Sequence, residues 1–206
     1  MFKSLDQINR DAVIRDKTAV EGGYVNNAKD KGGETNHGIT KALADSYKSE
    51  LQTKFGWNGQ MLHLTKDMAY WLYRVEFWDK LKCDELLAVH PLIADKVFDF
   101  GINAGKAKAA KVLQNYLTIS NRQGKLYADI DVDGGIGNGT ITALNQYVKI
   151  RGKEGIGRLL FAYICEQGSH YNDITVQRPA NEEFIYGWYG RAQEDMIEYN
   201  RLLGIA

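Results

Sequence analysis

Cysteine is scarce in this chain. Cys83 and Cys165 are the only two in 206 residues, far apart and each in apolar, helix-like surroundings. That excludes a disulfide framework and reads as two buried free thiols in a protein made in a reducing cytoplasm. Proline is equally rare: Pro91 is suited to the first turn of a helix, and Pro179 precedes the last one. No stretch approaches the ~20 apolar residues of a membrane span, so no membrane insertion is expected. The start, MFKSLDQINRDAVIRDK, is broken by charges and has no secretory signal core. Net charge is absent too, with 26 basic residues against 26 acidic ones, which gives no global pull toward nucleic acid or membrane. The four histidines, His37, His63, His90 and His170, show no H-E-x-x-H or comparable ligand spacing, and the cysteines lack the context of a nucleophile. No metal and no cofactor is expected.

What is present is helical periodicity. With 44% hydrophobic and 25% charged residues, the composition is that of an ordinary globular protein. Ser4-x-x-Gln7 matches a capping box for a first helix that should stop at Gly22-Gly23. Thr40 and Thr65 read as N-caps for KALADSYKSELQTKF and for the aromatic KDMAYWLYRVEFWDKL. Pro91 opens a helix ending near Gly105, and KAKAAKVLQNYLTI comes directly after it. Beyond an irregular, glycine-rich 121–139 come ITALNQYVKI, IGRLLFAYICEQGSHY and a long helix over 180–203. Strand signals are confined to 22–39 and a short piece at 126–132. The expected class is mainly α, with a small glycine-rich loop or hairpin after the first helix. The expected division is a lobe over 1–105 and a helical lobe over 106–206, in one compact monomer. Most aromatics, including Trp57, Trp71, Tyr73, Phe77, Trp78 and the run FIYGWYGR at 184–191, are assigned to the core.

The segment EGGYVNNAKDKGGETNHGIT, residues 21–40, concentrates the chemistry. Three acids, Glu21, Asp30 and Glu34, share it with five glycines. Glu21 falls in the last turn of the first helix, where the carbonyl end of the dipole and desolvation in a cleft both raise a carboxyl pKa toward that of a general acid. Asp30, across a foldable loop, can hold a water or stabilise positive charge at an anomeric carbon, and it also suits a plain turn. Thr35 and Asn36 supply neutral groups that orient water or sugar hydroxyls, and Tyr24 is the best placed ring for sugar stacking.

Glu21-Gly-Gly-Tyr24 followed by Asp30-x-Gly-Gly-Glu-Thr-Asn-x-Gly-Ile-Thr40 resembles the signature of glycoside hydrolase family 108. The resemblance implies a lysozyme-like, α-rich fold and cleavage of the β-1,4 bond after N-acetylmuramic acid, with Glu21 as catalytic acid. The Glu21–Asp30 spacing is also similar to the Glu–Asp pair of phage lysozymes of the T4 type. In that pattern a Thr stands near the position of Asn36, whereas here the neighbouring Thr is Thr35. Thr35 or Asn36 therefore fills the third role, and Asp30 ranks ahead of Glu34 for holding water. The analogy favours inversion, which requires carboxyls about 6.5–9.5 Å apart. For a phage enzyme it also implies synthesis in the host cytoplasm, release through a holin-type pore and action on periplasmic peptidoglycan. A catalytically weak wall-binding or secretion-related protein with the same fold is the alternative.

In the second half, Asp129-x-Asp131-x-Asp133-Gly134 imitates the start of an EF-hand loop, but the twelfth position is Thr140 rather than Glu, so calcium is not expected. Asp133-Gly-Gly-Ile-Gly-Asn-Gly-Thr140-x-x-Ala-Leu144 resembles a pattern of peptidoglycan-binding modules. It reads equally as a turn with Thr140 as helix N-cap. Asp99-Phe-Gly-Ile-Asn103-Ala-Gly105 also looks like family sequence, with Asn103 either offered to a sugar N-acetyl group or fraying beside a Gly105 cap.

Overall fold

A computed structural model describes residues 4–20, 23–26 and 33–205. The expected mainly α class holds: a three-stranded antiparallel sheet is the only sheet among the described residues, and the remaining elements are helical. The chain divides into two compact units, Asn9–Lys80 and Met1–Ile8 with Leu81–Ala206.

In the first unit, α1 (Arg10–Val20) is capped by Asn9, whose Oδ1 accepts from Ala12 N at 3.0 Å. The Ser4 box does not form; Ser4 precedes only a short 3-10 turn, Leu5–Gln7, and makes no side-chain cap. The sheet comes next, with β1 (Val25–Asn26), β2 (Glu34–Asn36) and β3 (Ile39–Thr40). Val25 pairs with Thr35, Thr35 with Thr40 and Asn36 with Ile39. His37 and Gly38, at φ 49° and 73°, make the two-residue turn between β2 and β3. Paired left-handed residues match the right-handed twist of a tight hairpin.

Thr40 caps α2 (Lys41–Ser46) by accepting from Leu43 N. The continuous helix expected over 41–55 is instead broken at Tyr47, between α2 and α3 (Lys48–Phe55). Tyr47 leaves helical geometry while its hydroxyl donates to Glu76 Oε2 at 2.6 Å and its ring meets Trp71 edge-on. Thr65 caps α4 (Lys66–Tyr73), accepting from Met68 N. The helix expected to run on widens into a π segment over Arg74–Trp78, where Asp79 N donates to Arg74 O five residues back. One extra residue in a turn rotates the side chains beyond it about the helix axis, and Trp78 is fully buried. Helices α1 and α4 pack together around Val13, Ile14, Met68, Ala69 and Leu72.

The second unit is built round α6 (Pro91–Ala104), which packs against α5 (Cys83–Val89), α7 (Lys106–Ser120) and α8 (Asn138–Gln177). A helix that is apolar on most sides belongs in the middle of a bundle, and Leu92, Ile93, Val97, Phe98 and Phe100 are all fully buried. Gly101 is required by closeness: a Cβ there would lie 2.5 Å from Leu81 Cδ1. Within this apolar helix Lys96 is fully buried, reaching Gln167 Oε1 and Asp195 Oδ2 (3.1 Å). Pro91 sits at the first turn as expected, and Gly105 both ends α6 and precedes α7.

Residues 121–137 form a loop without strand, including 126–132. Gln114, buried on α7, holds it: Nε2 donates to Asp133 Oδ1 (2.8 Å) and Gly135 O (2.9 Å), and Oε1 accepts from Gly134 N (2.9 Å). Thr140 is not the N-cap of α8. That position is Gly137, while Thr140 is buried inside the helix with its hydroxyl facing the Gln114 amide. Helix α8 runs to Gln177 with a break at Gly152 (φ 57°, ψ −156°), which separates the two segments read from the sequence. A 3-10 turn, Pro179–Asn181, leads into α9 (Glu182–Leu203), which packs on α8.

Two burial expectations are corrected. Cys83 is buried but Cys165 is exposed, on the face of α8 that borders α7. In the 184–191 run, Phe184, Tyr186 and Tyr189 are exposed. Trp188 and Tyr189 both engage α8: the Trp188 ring lies between Phe184 and Tyr171, and Tyr189 meets Tyr171 edge-on while its hydroxyl donates to Gly168 O at 3.1 Å.

Candidate active site

The described part of the 21–40 segment is the sheet of the first unit. Its register sets the side chains. Tyr24, just before β1, lies ten residues from Glu34 in sequence, yet its hydroxyl donates to Glu34 Oε1 at 2.8 Å. That bond, with a smaller contribution from desolvation, raises the Tyr24 pKa above its ordinary value; the Asn26 side chain opposes it. The phenol therefore stays protonated and acts as a donor throughout the working range. The Tyr24 ring is 38% exposed, which leaves a face open to a ligand while the hydroxyl is tethered. Glu34 is half-buried and oriented through one oxygen.

Thr35 is the central residue of β2, paired on both sides, with Val25 and with Thr40. Its neighbour Asn36 is only 4% exposed, and its Nδ2 donates to Met61 O (2.8 Å) and Leu64 O (3.2 Å). Both hydrogens of the amide are thus used to pin β2 to the connector ahead of α4. The adjacent His37 is held neutral, its pKa lowered by desolvation and then by Lys66.

Glu21 and Asp30 lie outside the described residues, as does Gly22. Tyr24, Glu34, Thr35 and Asn36 are brought onto one small sheet. Asn103 belongs to the other compact unit, on the last turn of α6, exposed. Its Nδ2 donates back to Asp99 O (2.9 Å) and Asp99 Oδ1 (3.2 Å). The arrangement can present a fixed carboxylate, a tethered aromatic ring and a rigid strand edge to a sugar. Among the described residues no cluster of His, Cys, Asp and Glu is placed to hold a metal ion.

The sequence reading missed two residues with defined roles. Gln114 organises the 121–137 loop, and its signal was a lone polar residue on the stripe Ala110, Leu113, Leu117 of α7. Lys96 had the same signature on α6.

Comparison with known proteins agrees with this geometry. The profile described as Glycosyl hydrolase 108 matches residues 15–105, and the one described as Predicted Peptidoglycan domain matches residues 108–193. No curated protein matches the chain. Among solved structures, Brucella abortus SagA is similar, with a TM-score of 0.65 at 25% identity, over 94% of this chain and 95% of that one. The first profile spans the whole acid-rich segment together with α2 to α6, and the second takes up where it ends. Residues 15–105 form a glycosyl hydrolase 108 region, and a predicted peptidoglycan domain follows it over residues 108–193.

Proposed function

We propose that the protein is a muramidase, cleaving the β-1,4 bond between N-acetylmuramic acid and N-acetylglucosamine in peptidoglycan. Glu21 is the general acid, and Asp30 positions the attacking water. The observation that carries this reading is the hydrolase match over 15–105, which contains the complete Glu21–Thr40 signature. The Tyr24–Glu34 bond adds a division of labour. A carboxylate already engaged by a phenol is fixed as a binding and orienting group, which leaves Asp30 for the water. Tyr24 stacks on a sugar ring, Thr35 assists from the central strand, and the buried Asn36 holds that strand in place. The reaction needs no cofactor. The protein acts as a monomer on periplasmic peptidoglycan, leaving the cytoplasm of a phage-infected host through a holin-type pore.

The test is digestion of purified sacculi. Wild-type protein should release muropeptides with new reducing ends at muramic acid, and Glu21→Gln should release none while keeping its circular dichroism. New free amines, or undiminished digestion by Glu21→Gln, would overturn the assignment.

A further inference from the structure

Helices α7 and α8 pack side by side in the second unit and leave between them a groove of about 610 Å³. From α7 it is lined by Lys108, Lys111, Val112, Asn115, Tyr116 and Ile119, spaced three and four apart along one face. Arg158, Phe161, Cys165 and Glu166 line it from α8 at similar spacing. Two features set it apart from ordinary surface. Ile119 and Phe161, large and apolar, are 79% and 54% exposed along it. Three cations, Lys108, Lys111 and Arg158, stand against one carboxylate, Glu166, on a chain whose total charge is zero. Among the described residues none of the three cations is in an ion pair. Lys108 instead approaches His170 Nδ1 at 3.4 Å. That ring is kept neutral, by desolvation first and by the Lys108 charge second.

Apolar surface flanked by unpaired cations is complementary to an extended chain with small aliphatic side chains and repeated carboxylates. In peptidoglycan that description fits the stem peptide, not the neutral sugar backbone. Every lining residue falls within 108–193, the predicted peptidoglycan domain. We infer that the α7–α8 groove is a docking site for the peptidoglycan stem peptide, held through its free carboxylates by Lys108, Lys111 and Arg158. The inference rests on the peptidoglycan reading of this domain and not on hydrolysis. It makes wall recognition depend on the peptide as well as on the glycan.

The protein carries its own reporter. Cys165 lines the groove and is exposed, whereas Cys83 has no exposed surface, so a maleimide reads Cys165 alone. Alkylation of the Glu21→Gln protein would be monitored with free stem tetrapeptide, with peptide-free glycan oligosaccharide and with neither, alongside sedimentation with whole sacculi. Tetrapeptide should protect Cys165 and glycan should not. Reversing charge at Lys111 or Arg158 (Lys111→Glu, Arg158→Glu) should weaken protection by about tenfold each, with circular dichroism unchanged. Added salt should weaken it as well. Sedimentation with sacculi but no protection by tetrapeptide would overturn the groove and leave the wall-binding reading intact. Equal protection by peptide-free glycan would make it a sugar site and overturn the inference. Failure to sediment, without protection, would sink both.

Discussion

The Tyr24 hydroxyl donates to Glu34 at 2.8 Å, tying the residue before the first strand to the first residue of the second. If this bond fixes Glu34 as an orienting group, the acids separate kinetically. Glu34→Gln and Tyr24→Phe should each cost about tenfold or less, the scale of one hydrogen bond to a charged group. Asp30→Asn should cost at least about a hundredfold, the lower range for general base catalysis. Release of reducing ends from sacculi measures all three. Equal losses for Glu34→Gln and Asp30→Asn would put the water on Glu34.

Asn36 should matter for stability first. Its buried amide satisfies Met61 O and Leu64 O, and Asn36→Leu would leave both carbonyls without that donor. Met61 O keeps its bond from Leu64 N, so a loss of about 1–3 kcal/mol is expected, read as the shift in urea midpoint. Wild-type stability in Asn36→Leu with reduced digestion would favour direct substrate contact instead.

Gln114 predicts a second cost of similar origin. Gln114→Leu keeps the side chain close to its size but releases Gly134 N and Gly135 O together, and should destabilise by about 2–4 kcal/mol. Proteolysis should then cut within 121–137 faster than in wild-type protein. An unchanged cleavage pattern would show that the loop holds itself.

A pH dependence arises from His90, the N-cap of α6. Its Nδ1 accepts from Leu92 N at 3.3 Å, which requires a neutral ring, and burial lowers its pKa. The sign is that of a group depressed in the fold. The contribution is whole above the unfolded value near 6.5 and is lost as pH falls through the folded one. Desolvation shifts His37 and His170 the same way. Stability should therefore drop as pH falls below about 6.5. His90→Asn, which keeps a capping oxygen and cannot titrate, should recover about 1 kcal/mol at the acid end. An identical pH slope in wild type and His90→Asn would remove the cap from the explanation.

Much of this was legible in the residues because local rules and tertiary contacts agreed. Thr40, Thr65, Pro91 and Gly105 all sit where capping chemistry puts them. The failures came where a distant contact prevailed. Tyr47 breaks a helix because Trp71 and Glu76, more than twenty residues on, hold its ring and hydroxyl. Thr140 had the composition of a cap but is drawn inward beside Gln114, and Gly137 takes the cap instead. Aromatic spacing at 184–191 gave no sign of which neighbours would cover it; α8 engages Trp188 and Tyr189, while Phe184 and Tyr186 stay exposed. At the candidate site the motif named the residues, but only three-dimensional structure joins Tyr24 to Glu34 and turns Asn36 inward.

Gly152 has a consequence for how substitutions in α8 will be tolerated. Its backbone, φ 57° and ψ −156°, lies in a region essentially reserved for glycine, while nothing stands within 4 Å of where a Cβ would be. Space is free and only the torsion forbids a side chain. Over the rest of a forty-residue helical run, alanine is the safest replacement on an exposed face. At this one position the ranking reverses: the best helix former would push two rods toward one straight one, and the residue least suited to helices keeps them apart.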